Sequence, residues 1–237
     1  AIPPPIKMGG LIAQIIMKVV VSLGGSIVAS PSINRNFILS YVDMVLRLKK
    51  EDISISTVVG GGKIARDYIE AARSFGASEE FCDEIGILAT RMNASLILSA
   101  LGEWAEKRIP VDVEKVEDDN VVMGGTLPGH TTDAVSAMLA SKIKADLLIN
   151  ASNVDGIYDK DPREFPEAIM LLRVGSKELL GIIKGEHMAG ITTILDIKAA
   201  KIIIRNRIRT FVLNGRDLEN MERAIKGKSF NGTEVVL

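Results

Sequence analysis

Val121-Val122-Met123-Gly124-Gly125-Thr126-Leu127-Pro128-Gly129-His130-Thr131-Thr132-Asp133 reads as a short apolar strand that breaks into glycines and hydroxyls and then opens a helix. Such a turn leaves backbone N–H groups and hydroxyls unpaired at a helix N-terminus, where the helix dipole also favours negative charge. It is a place for a phosphate. Val19-Val20-Val21-Ser22-Leu23-Gly24-Gly25-Ser26 and Ser56-Thr57-Val58-Val59-Gly60-Gly61-Gly62-Lys63 repeat the form. Three such strand ends imply an α/β fold that holds more than one phosphate group.

Strands and helices alternate outward from these stretches. Val19 to Leu23 is a near-continuous apolar run, as expected of a strand covered on both faces, and Phe37 to Leu48 repeats apolar residues at helical spacing. Further strands are expected at Ile53 to Val59, Val121 to Met123, Leu147 to Asn150, Thr210 to Leu213 and Glu234 to Leu237. Helices are expected at Ile64 to Phe75, Glu79 to Leu101, Thr132 to Lys142, Lys177 to Lys184, Asp196 to Asn206 and Leu218 to Ile225. The pattern gives a mostly parallel sheet between helix layers. No internal repeat of fixed period is present, and a division into two lobes is expected near residues 150 to 165.

The chain has 237 residues, 47% hydrophobic and 25% charged, with a formal net charge of −1. That is enough to bury a full core, and it leaves no general attraction to nucleic acid or anionic lipid. One cysteine, Cys82, excludes an internal disulfide framework, and two histidines with it make no zinc-type ligand set. A reducing cytoplasm fits this usage. The first sixteen residues read differently: Ala1-Ile2-Pro3-Pro4-Pro5 is stiff and extended, and Leu11 to Ile16 is too short to span a bilayer. Residues 1–16 are expected to be an extension ahead of a natural start at Met17, or else an arm at a subunit interface.

Gly60-Gly61-Gly62-Lys63-Ile64-Ala65 also fits the G-x-G-x-x-G/A pattern of dinucleotide folds, with Glu79, Glu80 and Asp83 placed about 20 residues on. That fingerprint usually follows the first strand, which here carries its own Gly24-Gly25-Ser26. Nicotinamide binding therefore ranks below nucleotide phosphoryl transfer. The Walker pattern G-x-x-x-x-G-K-[ST] is absent from the sequence.

Taken together, Leu23-Gly24-Gly25-Ser26, Val59-Gly60-Gly61-Gly62, Thr131-Thr132-Asp133 and Asn153-Val154-Asp155-Gly156-Ile157-Tyr158 with Asp161-Pro162 resemble the amino acid kinase superfamily. Within it, Phe81-Cys82-Asp83, Thr90-Arg91-Met92-Asn93-Ala94 and Gly125 to Asp133 resemble the uridylate kinases of archaeal type. The resemblance runs from Met17 to the C-terminus. It implies a three-layer α/β/α sandwich, an acceptor-binding lobe at about 17–150, an ATP-binding lobe at about 151–237, a homohexamer, and Mg²⁺-dependent transfer of the ATP γ-phosphoryl group to UMP.

By the same resemblance Gly25, Ser26, Gly62, Arg66, Ser152, Asn153, Tyr158 and Asp161 face ATP. Gly61, Asp83 and the run Thr126, Leu127, Pro128, Gly129, His130, Thr131 and Thr132 hold UMP. Arg66, Asp133 and Lys201 are the catalytic candidates. Arg66 would present its guanidinium fork to phosphate oxygens. Asp133 either orients lysines or Mg²⁺ near the reacting phosphate or serves as an ordinary helix cap. His130 either donates to the acceptor or is held by its turn, and His187 is expected in a surface loop. Neither is needed as a base, because the acceptor is already an anion.

One residue departs from the family pattern. Many relatives carry a lysine two residues before the first glycine, and this chain has Ser22 there. The catalytic cation must then come from Lys63, Arg66 or Lys201. A sibling kinase acting on a carboxylate, carbamate or isopentenyl phosphate, and a non-catalytic nucleotide- or oxyanion-binding protein, are the alternative functions.

Overall fold

The computed structural model describes residues 17–104, 108–162, 164–183 and 195–237. The expected extension at residues 1–16, Lys184 at the end of its expected helix, and His187 lie outside the described residues. In chain order the elements are β1 (Met17–Leu23), α1 (Gly25–Val28), α2 (Arg35–Lys49), β2 (Ile53–Val59), α3 (Gly62–Ser74), α4 (Glu79–Leu101), β3 (Val122–Met123), α5 (Thr132–Ile143) and β4 (Leu147–Ser152). There follow β5 (Ile157–Tyr158), β6 (Met170–Leu171), β7 (Arg173–Gly175), α6 (Ser176–Ile183), α7 (Ile197–Asn206), β8 (Thr210–Asn214), α8 (Leu218–Ile225) and β9 (Thr233–Val236).

Seven strands form one sheet in the order β3-β2-β1-β4-β8-β9-β7. The five from β3 to β8 are parallel, and β9 runs antiparallel to β8. The expected mostly parallel sheet is therefore present, and it extends through both expected lobes, with β4 spanning residue 150. The small β5–β6 pair is separate and antiparallel. Its strands have two residues each, too few to leave a periodicity in the sequence.

Successive side chains on a strand point to opposite faces, and β1 feeds two cores accordingly. Val19, Val21 and Leu23 pack with α2, α4 and α8 through Tyr41, Met44, Ile97 and Met221. Val20 packs on the other side with Val135 and Leu139 of α5 and Ala200 and Ile203 of α7. This is the three-layer arrangement. Ser22 shares the face of Val20, and that parity directs it to α5.

Side-chain caps fix where the helices begin. Asn34, Ser78, Thr131, Asp196 and Asp217 each accept a backbone N–H from the first turn of α2, α4, α5, α7 and α8. Lys144 and Arg207, both left-handed, end α5 and α7. With the turn that follows it, α4 has the length and hydropathy of a membrane span. It is packed instead against α3, α2 and β2.

Candidate active site

The parallel strands end at one edge; the connection after β1 leads to its neighbour β2, whereas the connection after β3 returns past β2 and β1 to β4 on the other side. Ligands of open α/β sheets bind in the crevice that this reversal opens at the carboxyl ends. Here a cleft of about 260 Å³ is lined by Ser22, Gly24 to Ser26, Gly60 to Gly62, Arg66, Thr132, Asp133 and Asn150 to Asn153. The loops after β1 and β2 interlock: a Cβ on Gly25 would lie 2.3 Å from both Gly60 O and Gly62 N. Only backbone fits between them, so the amides at the starts of α1 and α3 stay uncovered. Gly62 adopts φ +65, which an L side chain rarely takes.

Asp133 lies at the floor of this cleft. Ser22 Oγ donates to its Oδ1 at 2.9 Å, and Asn150 Nδ2 donates to the same oxygen at 3.0 Å. Burial pushes the carboxyl from 3.8 up to about 6, the Asp196 carboxylate adds to the rise, and the two hydrogen bonds oppose it. The cap of α5 is Thr131, whose Oγ1 accepts the Ala134 N–H at 3.1 Å. Asp133 is thus not the cap, and among the described residues no lysine pairs with it. Position 22, at the end of β1, offers a neutral hydroxyl and no cation.

A second cleft of about 550 Å³ adjoins the first, lined by α3, α4 and the loop ahead of α5. Gly61, Gly62, Arg66 and Thr132 line both. Arg66 is exposed one turn into α3, and among the described residues no carboxylate pairs with it. Asp83 lines the second cleft and accepts the Gly129 N–H at 2.8 Å. Gly125, Leu127, Gly129, His130, Thr131 and Thr132 complete that wall. Thr126 is buried, its hydroxyl paired with His130 Nδ1 at 3.2 Å. Burial and the nearby Lys198 ammonium hold His130 below its ordinary range, so the ring is neutral near pH 7.

The loop is anchored at both ends. Thr131 Oγ1 donates to Asp196, the cap of α7. Arg91 Nε donates to Gly125 O at 3.1 Å and its Nη2 to Thr126 O at 3.0 Å. Thr90 Oγ1 accepts the Gly125 N–H at 2.6 Å. Asn93 Nδ2 donates to Gly60 O at 2.8 Å and to Gly61 O at 3.2 Å. One helix, α4, therefore supports the glycines of both clefts.

Not every candidate comes to these walls. Ser152 and Asn153 line the first cleft, whereas Tyr158, paired with Met170 in the small hairpin, and buried Asp161 line neither. Pro128 belongs to the loop without lining the cleft. Lys201 is exposed on α7 and lines neither cleft. Lys63 lies on the surface, bound to Asp67 at 2.6 Å one turn on. Asn150 and the supporting roles of Arg91 and Asn93 went unread in the sequence. A polar residue closing the apolar run Leu147-Leu148-Ile149 was the signal for Asn150, since buried amides require partners.

Residues 17–214 match the amino acid kinase family. Uridylate kinase of Methanocaldococcus jannaschii is 43% identical over 226 residues, covering 92% of this chain and 98% of that protein. Uridylate kinase of Archaeoglobus fulgidus is 45% identical over 219 residues, covering 90% and 97%. The crystal structure of the A. fulgidus enzyme superposes with a TM-score of 0.83 over 93% of this chain and 100% of that one. UMP kinase from Ureaplasma parvum, 20% identical, has the same fold with a TM-score of 0.75 over 94% of this chain and all of the other.

Proposed function

Since the chain belongs to the amino acid kinase family, we propose that it is a uridylate kinase, a nucleoside monophosphate kinase that converts ATP and UMP to ADP and UDP in pyrimidine nucleotide biosynthesis, towards UTP and CTP. The observation that carries this reading is the pair of adjoining clefts with Arg66 in their shared wall. Phosphoryl transfer between two anions is limited by repulsion and alignment, so the catalyst must supply donors and positive charge along one line. Arg66 is placed to serve both phosphates.

ATP occupies the first cleft. Its phosphates take the amides at Gly25, Ser26 and Gly62, while Ser152, Asn153, Tyr158 and Asp161 belong to the adenosine side. Mg²⁺ arrives with ATP as its complex, and the amides and hydroxyls of this cleft suit the phosphate oxygens left uncoordinated. UMP occupies the second cleft, with Asp83 accepting from a ribose hydroxyl and the Thr126 to Thr132 loop around uracil and phosphate. The UMP phosphate attacks as an anion and needs no general base. Neutral His130 serves as a hydrogen-bonding wall. Arg66 is the cation of transfer and Asp133 the carboxylate beside it; Lys201 is a more distant candidate.

The lobe at about 17–150 would carry the acceptor and that at about 151–237 most of the nucleotide donor site. The enzyme would act in the cytoplasm as a homohexamer. Phe81, Leu88 and Met92 support self-association: they lie on α4, more than half exposed, at positions seven and four residues apart. Phosphorus NMR of the protein with MgATP and UMP tests the reaction, since the β-phosphorus of UDP must appear in step with ADP. ATP that stays intact beside UMP would overturn the reading.

A further inference from the structure

Ser22 and Asn150 are register partners on adjacent strands β1 and β4. Both are buried, at 6% and 4% exposure, and both line the first cleft with Asp133. Their side chains lie on the α5 face of the sheet, and both donors converge on Asp133 Oδ1, at 2.9 and 3.0 Å. Asp133 Oδ2 accepts from no described residue, and it is not an enclosed atom lacking a partner. It therefore opens on the cleft.

We propose that Ser22 and Asn150 are positioning residues for phosphoryl transfer, clamping Asp133 through one oxygen so that the other is held towards the reacting phosphates. The inference rests on the phosphotransferase reading of the same cleft. A lysine at position 22 would bring charge to the phosphoryl group directly. The hydroxyl brings none, and its work is done through the carboxylate. Two donors from two different strands leave the carboxyl group no free rotation about its Cβ–Cγ bond. An acceptor fixed there is useful because Mg²⁺ keeps several of its waters when bound to ATP, and those waters are donors. Misplacing a group of this kind by about 1 Å can cost on the order of a hundredfold in rate.

The test is a set of variants: Ser22→Ala, Ser22→Thr, Asn150→Ala, Asp133→Asn and the double variant Ser22→Ala with Asp133→Asn. Ser22→Ala and Asn150→Ala should each lower kcat by about ten- to a hundredfold with KM for ATP and UMP within about threefold. Ser22→Thr keeps the hydroxyl and should recover most of kcat. In the Asp133→Asn background, removing the hydroxyl should cost little more, because Ser22 acts through that carboxylate. An equal loss from Ser22→Ala in both backgrounds would overturn the proposal, as would an unchanged kcat in Ser22→Ala. Thermal unfolding reads the contact without turnover when Asp133→Ala replaces Asp133→Asn, which would keep an acceptor for both donors: the shifts of Ser22→Ala and Asp133→Ala should be non-additive, and simple addition would show that no clamp exists. A wild-type protein inactive on UMP, with non-additive unfolding shifts, would remove the uridylate kinase reading and the catalytic role while leaving the clamp.

Discussion

Arg91 grips the acceptor loop from behind, its Nε donating to Gly125 O at 3.1 Å while its Nη2 reaches the next carbonyl, that of Thr126, at 3.0 Å. The guanidinium spans two successive peptide oxygens, a fork that only arginine offers in this fixed geometry. The loop's shape is thereby set from α4 by a side chain that does not itself line the cleft.

Removing that fork should loosen the UMP site and leave the ATP site alone. Arg91→Ala is expected to raise KM for UMP by about tenfold or more, since hydrogen bonds from a charged donor contribute about 1.5–3 kcal/mol. KM for ATP should stay within about twofold. Arg91→Lys should recover little, because an ammonium cannot hold both carbonyls in one plane. Steady-state kinetics with each substrate varied in turn make the comparison.

Arg66 and Lys201 give a contrast in placement. Arg66 lines both clefts, and Lys201 lines neither. Arg66→Ala should lower kcat by about 10²–10³-fold, the usual cost of removing a preorganised group that stabilises transition-state charge. Lys201→Ala should retain kcat within about threefold. The reverse order would place the transferring cation on α7.

Asp133 links catalysis to stability. Its carboxyl titrates at about 6 in the folded chain against 3.8 ordinarily, so the ionised form is disfavoured by folding. The neutral form's advantage is complete below about pH 4 and is lost as pH rises through about 6. Asp133→Asn keeps an oxygen for Ser22 and Asn150 but no charge. It should be more stable than the wild type at pH 8, by up to about 3 kcal/mol for a shift of about two units, and the gap should close towards pH 4. Paired thermal melts at the two pH values check the sign.

Glycines of the two clefts should separate by contact rather than by φ alone. A Cβ on Gly25 meets backbone at 2.3 Å, whereas one on Gly129 meets nothing within 4 Å, although φ there is +78. Gly25→Ala should destabilise by about 3 kcal/mol or more and abolish ATP binding. Gly129→Ala should cost about 1 kcal/mol. Chemical denaturation of the two variants measures the difference.

The long elements were legible because their signals are local. The apolar run of β1, the helical spacing of α2 and the glycine breaks after three strands each follow from short stretches of chain. Both ends of β2 and of α4 agree with expectation, at Ile53 and Val59 and at Glu79 and Leu101. What was not legible depends on register. That Ser22 stands beside Asn150 and that both meet Asp133 requires the order of β1 and β4 and the seating of α5 on that face. Separations of 111 and 17 residues hide such contacts. Thr131 was hidden differently, since two successive threonines and an aspartate each make a plausible cap and only the helix start at Thr132 decides between them.

The central claim is the choice of acceptor, and ADP release from MgATP across UMP, CMP, acetylglutamate and isopentenyl phosphate measures it most directly. A uridylate kinase gives a kcat/KM for UMP at least about tenfold above each other acceptor, a difference of about 1.4 kcal/mol in transition-state binding. Faster turnover of any other acceptor, or tight UMP binding with no ADP released, would contradict it.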